Sequence, residues 1–170
     1  MRKIFSFAQN DLVPVAAPTD FIVIQGSDSQ NASILRITIS TEGATGPATM
    51  SAILTRRSTA NAGAATLNNI VASKLDPSSD AASCNVIYVS GANFTTLGVA
   101  NGGLLGAKVL TFNAVGNQSS VEWEYRWTVE DGMYLKGSND FICFGFNGDA
   151  LPVGTPKFYV EVLIEETGKY

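Results

Sequence analysis

At 170 residues, with 45% apolar and 15% charged side chains, the chain is long enough for one domain with a substantial core and short for two. Its net charge of −4, from 15 acidic and 11 basic residues, disfavours nucleic acid or an anionic membrane as a partner. Histidine is absent, which removes the Ser-His and Cys-His nucleophile systems and the common zinc sites together.

The basic start Met1-Arg2-Lys3 turns polar at Gln9-Asn10-Asp11 before a secretory apolar core forms. No apolar run approaches the roughly 18 residues of a membrane span. Residues 4–7 and 12–15 are short β-type pieces broken by Asn10-Asp11, Pro14 and Pro18, so residues 1–18 are expected as an N-terminal arm or edge strand. Residues 21–25 are a short apolar run closed by Gly26-Ser27-Asp28-Ser29. Residues 34–41 then alternate, with Leu35, Ile37 and Ile39 opposed to Arg36, Thr38 and Ser40. After a turn at residues 43–47, residues 50–55 alternate again and end at Arg56-Arg57.

From residue 58 to 83 the chain becomes small and polar, and a connection of that length predicts a functional loop or an excursion onto a neighbour. Leu67, Ile70, Val71, Lys74 and Leu75 have helical spacing, which predicts one or two helical turns inside it. Residues 85–89 read as a strand, 91–106 as a Gly-rich irregular segment and 108–115 as a strand. The clearest strand is 121–127, where Val121, Trp123, Tyr125 and Trp127 alternate with Glu122, Glu124 and Arg126. Its aromatic face asks for a second layer, because burying one large side chain is worth roughly 1.5–3 kcal/mol. Residues 133–135 follow, then 141–146, apolar on both faces as in a central strand. The last strand places Phe158, Val160, Val162 and Ile164 inward against Tyr159, Glu161, Leu163 and Glu165. These pieces predict one all-β domain: a jelly-roll-like two-sheet sandwich of about eight to ten antiparallel strands with long loops and little helix.

Candidate chemistry is sparse. Glu122 and Glu124, two apart on one strand, stand roughly 6.6–6.8 Å apart at Cα, near the roughly 6.5–9.5 Å between carboxyl groups of inverting glycosidases. Any such acidic pair shows that spacing, so a solvated or interface-facing charged stripe is the preferred reading. Gly98, Gly102, Gly103 and Gly106 follow no phosphate-loop spacing. Asp76, Asp80, Asp131 and Asp149 sit in turns and follow no EF-hand spacing, although loop aspartates can serve calcium. The sequons at Asn31, Asn93 and Asn117 read as turn residues. Cys84 and Cys143, without CxxC spacing, read as buried free thiols. No cofactor is implied. Trp123, Tyr125 and Trp127 would form a sugar-stacking platform if they faced solvent, but their alternation with charges assigns them to the core.

Several stretches resemble a group of small tailed-phage proteins assigned as jelly-roll head decoration, or cement, proteins. They are Phe5-Ser6-Phe7 through Val15 and Asp20-Phe21, Leu35-Arg36-Ile37-Thr38-Ile39-Ser40, and Thr55-Arg56-Arg57. The loop Lys74-Leu75-Asp76-Pro77 to Asp80-Ala81, the strand with Trp123 and Trp127 followed by Glu130, and the terminal Val160-Glu161-Val162-Leu163-Ile164-Glu165-Glu166 complete the match. Residues 91–106 stand outside it. The resemblance implies a non-enzymatic virion protein made in the host cytoplasm and placed on the outer capsid surface. It further implies a homotrimer whose partner is the major capsid protein. Arg2, Lys3, Phe5, Phe7, Arg56, Arg57, Asp76 and Asp80 are the candidate capsid or subunit interface, from the arm, the basic pair and the loop. The competing reading is a carbohydrate-binding jelly-roll module of a phage head or tail fibre.

Overall fold

A computed structural model describes residues 2–63, 65–112, 119–124 and 133–168 of the chain. The described residues contain no helix. They form twelve strands: β1 (Lys3–Leu12), β2 (Asp20–Gln25), β3 (Gln30–Ala44), β4 (Ala48–Arg57), β5 (Thr66–Ile70), β6 (Ala72–Lys74), β7 (Asn85–Ser90), β8 (Ala100–Phe112), β9 (Ser119–Glu124), β10 (Met133–Leu135), β11 (Phe141–Gly145) and β12 (Gly154–Gly168). Sheet A has the order β10-β3-β12-β1-β6, with β9 pairing β3 beside β10, and sheet B the order β5-β7-β2-β11-β4-β8.

The pairing is nested. β1 lies against β12, β2 against β11, β3 against β9 and β4 against β8, all antiparallel, as in one long hairpin. The hairpin is rolled because β12 also joins β3 and β11 also joins β4, which separates alternate pairs into two facing sheets. That is the jelly-roll arrangement, with β5, β6 and β7 added between β4 and β8.

Alternation puts the core between the sheets. Val121, Trp123, Phe158, Val160, Val162 and Ile164 are buried, as their spacing predicts, whereas Tyr125 and Trp127 lie outside the described residues. Phe21, Phe146 and Phe158 meet at ring distances of 5.0–5.8 Å, and Phe144 extends the cluster to Trp123 in an edge contact at 5.7 Å. Each such ring contributes at the upper end of roughly 1.5–3 kcal/mol. On β3 the alternation slips. The register with β12 skips Leu35, so Ile34 faces inward with Ile37 and Ile39.

Three expectations are corrected. Residues 1–18 do not begin with a detached arm: β1 pairs with β12 along its length, β6 covers its other side only at Phe5–Phe7, and Asn10-Asp11 is a bulge within it. Asp11 takes φ 55 there, a conformation that Asp tolerates better than most residues. The helical turns expected within 58–83 are strands β5 and β6, because the chain crosses from sheet B to sheet A at Val71 and each half pairs as it lands. The irregular stretch 91–106 gives way at Ala100 to β8, which pairs with β4. Glycine is needed on that strand where Gly106 passes Trp123, since a Cβ there would stand 2.6 Å from the indole Nε1.

Candidate functional site

The sequence-predicted interface residues fall into three groups. Phe5 and Phe7 are core residues with essentially no exposed surface, so they present nothing to a partner. Arg2 pairs with Glu165, and Lys3 with Asp80 at 2.7 Å, so the start of β1 is tied to β12 and to the 75–83 loop within one chain. Asp80 is held below the usual carboxylate range by the Lys3 ammonium, and Asp76 by hydrogen bonds from the Ser78 hydroxyl and backbone N–H. Arg56 donates to both carboxylate oxygens of Asp140, at 2.9 and 2.7 Å, and to the Tyr134 carbonyl. Arg57 is only 7% exposed. Of the eight, Asp76, Asp80 and part of the Arg2 and Arg56 side chains remain at the surface.

Arg57 organises the outer side of sheet B. Its Nε and second guanidinium nitrogen donate to the two oxygens of Asp20, at 2.6 and 3.1 Å, and its remaining nitrogen donates to the Gly98 carbonyl at 2.7 Å. Asn61 also donates to Asp20, and its amide oxygen accepts from the Gly98 N–H. The network clips segments 58–63 and 91–99 over a second apolar cluster of Val23, Val89, Phe94, Phe141 and Cys143. A bridge between Ala62 and Thr96 joins the two segments. Burial raises both thiols, Cys84 and Cys143, far above the ordinary thiol range, which makes them inert core groups.

The outer face of sheet A is flat, polar and acidic. Register sets Glu122, Thr38 and Glu161 in one row across β9, β3 and β12, and Glu124, Arg36 and Leu163 in the next. Glu122 accepts from the Thr38 hydroxyl at 3.0 Å, and Arg36 donates to Glu161 at 2.7 Å. The two candidate glycosidase carboxylates therefore stand on an open strand face. Tyr159 donates to Glu42, which raises its phenol pKa to about 12. A shallow depression of about 400 Å3 lies beside them, bounded by Gln9, Thr38, Ser40, Tyr159 and Glu161.

Trp123 is 6% exposed, and the Lys108 ammonium sits 5.5 Å from its ring centre, so it belongs to the core and not to a platform. Among the described residues no three His, Cys, Asp or Glu side chains converge as metal ligands. Asp149 accepts from the Ser51 N–H at 2.6 Å, which lowers its pKa, and Asp131 lies outside the described residues. Asn93 accepts from the Thr19 N–H and donates to the Ala17 carbonyl, so that sequon ties two loops together. Asn31 lies on β3, and Asn117 lies outside the described residues.

Two features were not foreseen. A cleft of about 500 Å3 at one end of sheet A is lined by Arg2, Asn31, Tyr134, Lys136, Glu165 and Thr167. The second is the edge of β8, which among the described residues pairs only with β4 and where Leu104, Leu105 and Val109 are exposed, with Val99 just ahead of it. A signal for it is present in the sequence: between Asp80 and Lys108 there is no charged residue. No protein-family model matches the chain, and no curated protein matches it in sequence.

Proposed function

We propose that this chain is a non-enzymatic virion structural protein that decorates and stabilises the outer surface of a phage capsid, assembling in threes on the major capsid protein. The observation that carries the reading is the outer face of sheet A, a broad plane of serine, threonine, tyrosine and carboxylate groups suited to holding another protein. Its donors and acceptors offer the hydrogen bonds of a polar interface, roughly one per 100–200 Å2. Repetition over a lattice multiplies modest single contacts into firm attachment. The sequence resemblance to decoration proteins points the same way. Purified protein added to undecorated capsids should bind at a fixed copy number and raise their melting temperature. Absence of binding to every capsid stage rules the reading out.

The Tyr134 cleft supports a second reading, attachment to a glycan. A half-exposed aromatic ring beside Asn31, Thr167, Lys136 and Glu165 supplies one stacking surface and several hydrogen-bonding groups in one concavity. Its volume lies within the roughly 300–1,000 Å3 of small-molecule sites. A glycan array with and without calcium tests it. A hit lost in Tyr134→Ala and kept in Tyr159→Ala supports the cleft, and a silent array removes it.

A further inference from the structure

The pair Asn-Gly occurs twice in the sequence, at Asn101-Gly102 on β8 and at Asn147-Gly148 just after β11, and all four residues are exposed. In such a pair the backbone nitrogen of the glycine can attack the asparagine side chain, because no Cβ stands in its way. The reaction proceeds only where the glycine peptide is free to turn toward the asparagine Cγ. The fold treats the two pairs in opposite ways.

At residue 147 the peptide is fixed. Asn147 and Gly148 both take left-handed conformations, φ 57 and 77, at the centre of a tight turn that the Asp149 N–H closes on the Phe146 carbonyl at 3.0 Å. The Gly148 N–H donates to the Pro18 carbonyl at 3.1 Å, and the Asp149 carboxylate accepts from the Ser51 N–H at 2.6 Å. The nitrogen that would attack is thus held facing Pro18 and keeps its proton engaged.

At residue 101 the ladder lets go. Thr55 pairs with Leu104 and Arg57 with Ala100, so Asn101, Gly102 and Gly103 face Arg56 alone in a bulge. An antiparallel pair draws its hydrogen bonds from the paired residues or their immediate neighbours, so neither of these pairs uses the Gly102 N–H. Gly102 takes φ 92, and a Cβ built on it or on Gly103 would meet nothing within 4 Å. The chain is pinned just ahead, where the Ser58 N–H donates to the Val99 carbonyl at 2.9 Å, which confines the slack to the bulge.

We propose that Asn101-Gly102 is a self-modifying site, at which the folded chain converts its own asparagine to aspartate and isoaspartate, while the turn protects Asn147-Gly148. The Gly102 nitrogen bonds to the Asn101 Cγ, the Cγ–Nδ2 bond breaks, and Nδ2 leaves as ammonia with the Gly102 N–H proton. Water then opens the resulting five-membered imide. Attack at Cγ leaves aspartate, and attack at the Asn101 backbone carbonyl leaves isoaspartate, with the main chain rerouted through the side chain. Either product places a carboxylate in the stretch between Asp80 and Lys108, which otherwise carries no charge, beside the exposed Leu104 and Leu105. The conversion needs water alone, so it depends on neither a capsid nor a glycan.

The test is peptide mapping by mass spectrometry of the full folded chain aged in mildly alkaline buffer, beside the same chain aged in urea. In the folded chain Asn101 should lose its amide about tenfold faster than Asn147, or more, the factor that opening two turn hydrogen bonds supplies. In urea the two should convert at similar rates. Anion exchange should resolve a growing, more acidic species, and hydroxylamine should cut the folded chain after Asn101. Asn101→Gln, whose longer side chain would need a six-membered ring, should melt as wild type does and keep its amide at that position. Retention of the Asn101 amide in the folded chain over the time that urea removes it overturns the proposal. Equal conversion of the two asparagines in the folded chain overturns it as well, since the bulge and the turn would then make no difference.

Discussion

The outer faces of sheets A and B flank one core, yet around Arg36 and around Arg57 they treat charge in opposite ways. On sheet A the carboxylates of Glu122, Glu124 and Glu161 lie in or near water, and the Arg36 pair with Glu161 keeps over a third of each side chain exposed. On sheet B two loop segments cover the strands, and Arg57 and Asp20 are buried to within 7% and 5% of complete. The difference teaches that an ion pair takes its value from what surrounds it. In water, solvation and salt compete with the attraction, and the net is roughly 0–1 kcal/mol. Under a cover, each charge depends on its partner, and removing one leaves a desolvated charge that costs about 3–5 kcal/mol.

That contrast is broken most severely at Arg57. Arg57→Ala should destabilise the fold by about 3–5 kcal/mol in urea unfolding, since Asp20 loses two hydrogen bonds and the clip over segments 91–99 opens at the Gly98 carbonyl. Arg36→Ala on sheet A should cost about 1 kcal/mol or less. Equal losses at the two sites would mean that segments 58–63 and 91–99 do not exclude water from sheet B. The pair Arg57→Met/Asp20→Leu sharpens the point, because replacing both charges with apolar groups should recover most of the loss.

A smaller effect separates the covered and bare parts of β8 itself. Gly106→Ala should cost about 1–3 kcal/mol by thermal melting, because the new methyl meets the Trp123 indole at 2.6 Å, and Trp fluorescence should shift with it. Gly103→Ala meets nothing within 4 Å and should be neutral or slightly stabilising, by about 0.4–1 kcal/mol, through the unfolded chain. Matching costs at the two glycines would show that Trp123 does not fill the space beneath Gly106.

Legibility followed the periodicity of the signal. β12 and the described part of the Trp123 strand were readable because strict alternation over a long stretch has one physical solution, a strand with one face buried. β5 and β6 were misread because Leu67, Ile70, Val71 and Leu75 are divided between two sheets, and a short apolar run fits a helix as well as a crossover. Asn10-Asp11 reads as a strand end in the sequence because turn residues mark strand ends and bulges alike. Among site residues, Arg56 and Arg57 were singled out as a pair, but only the fold could show that one faces Asp140 and the other is buried against Asp20. The partners lie 84 and 37 residues away, beyond any local pattern.

The mildest expected effect concerns titration at the two surfaces, and its signs differ. Tyr159 on sheet A keeps its proton to about pH 12 because the phenol donates to Glu42. The folded chain thus holds that proton more tightly than an unfolded chain with an ordinary tyrosine near 10, so this contribution is whole below about pH 10 and fades as pH rises to about 12. Asp149, accepting from the β4 N–H of Ser51, has its pKa lowered instead. Its contribution is present above 3.8, the ordinary aspartate value, and is lost as pH falls through the lower folded value. Unfolding measured at neutral, alkaline and acidic pH should therefore show Tyr159→Phe less stable than wild type at neutral pH and converging with it only along the alkaline limb, and Asp149→Asn less stable at neutral pH and converging only along the acidic one. If Tyr159→Phe left the alkaline limb unchanged, the phenol would be facing water instead of Glu42, and the row of paired groups along the outer face of sheet A would be looser than its register implies.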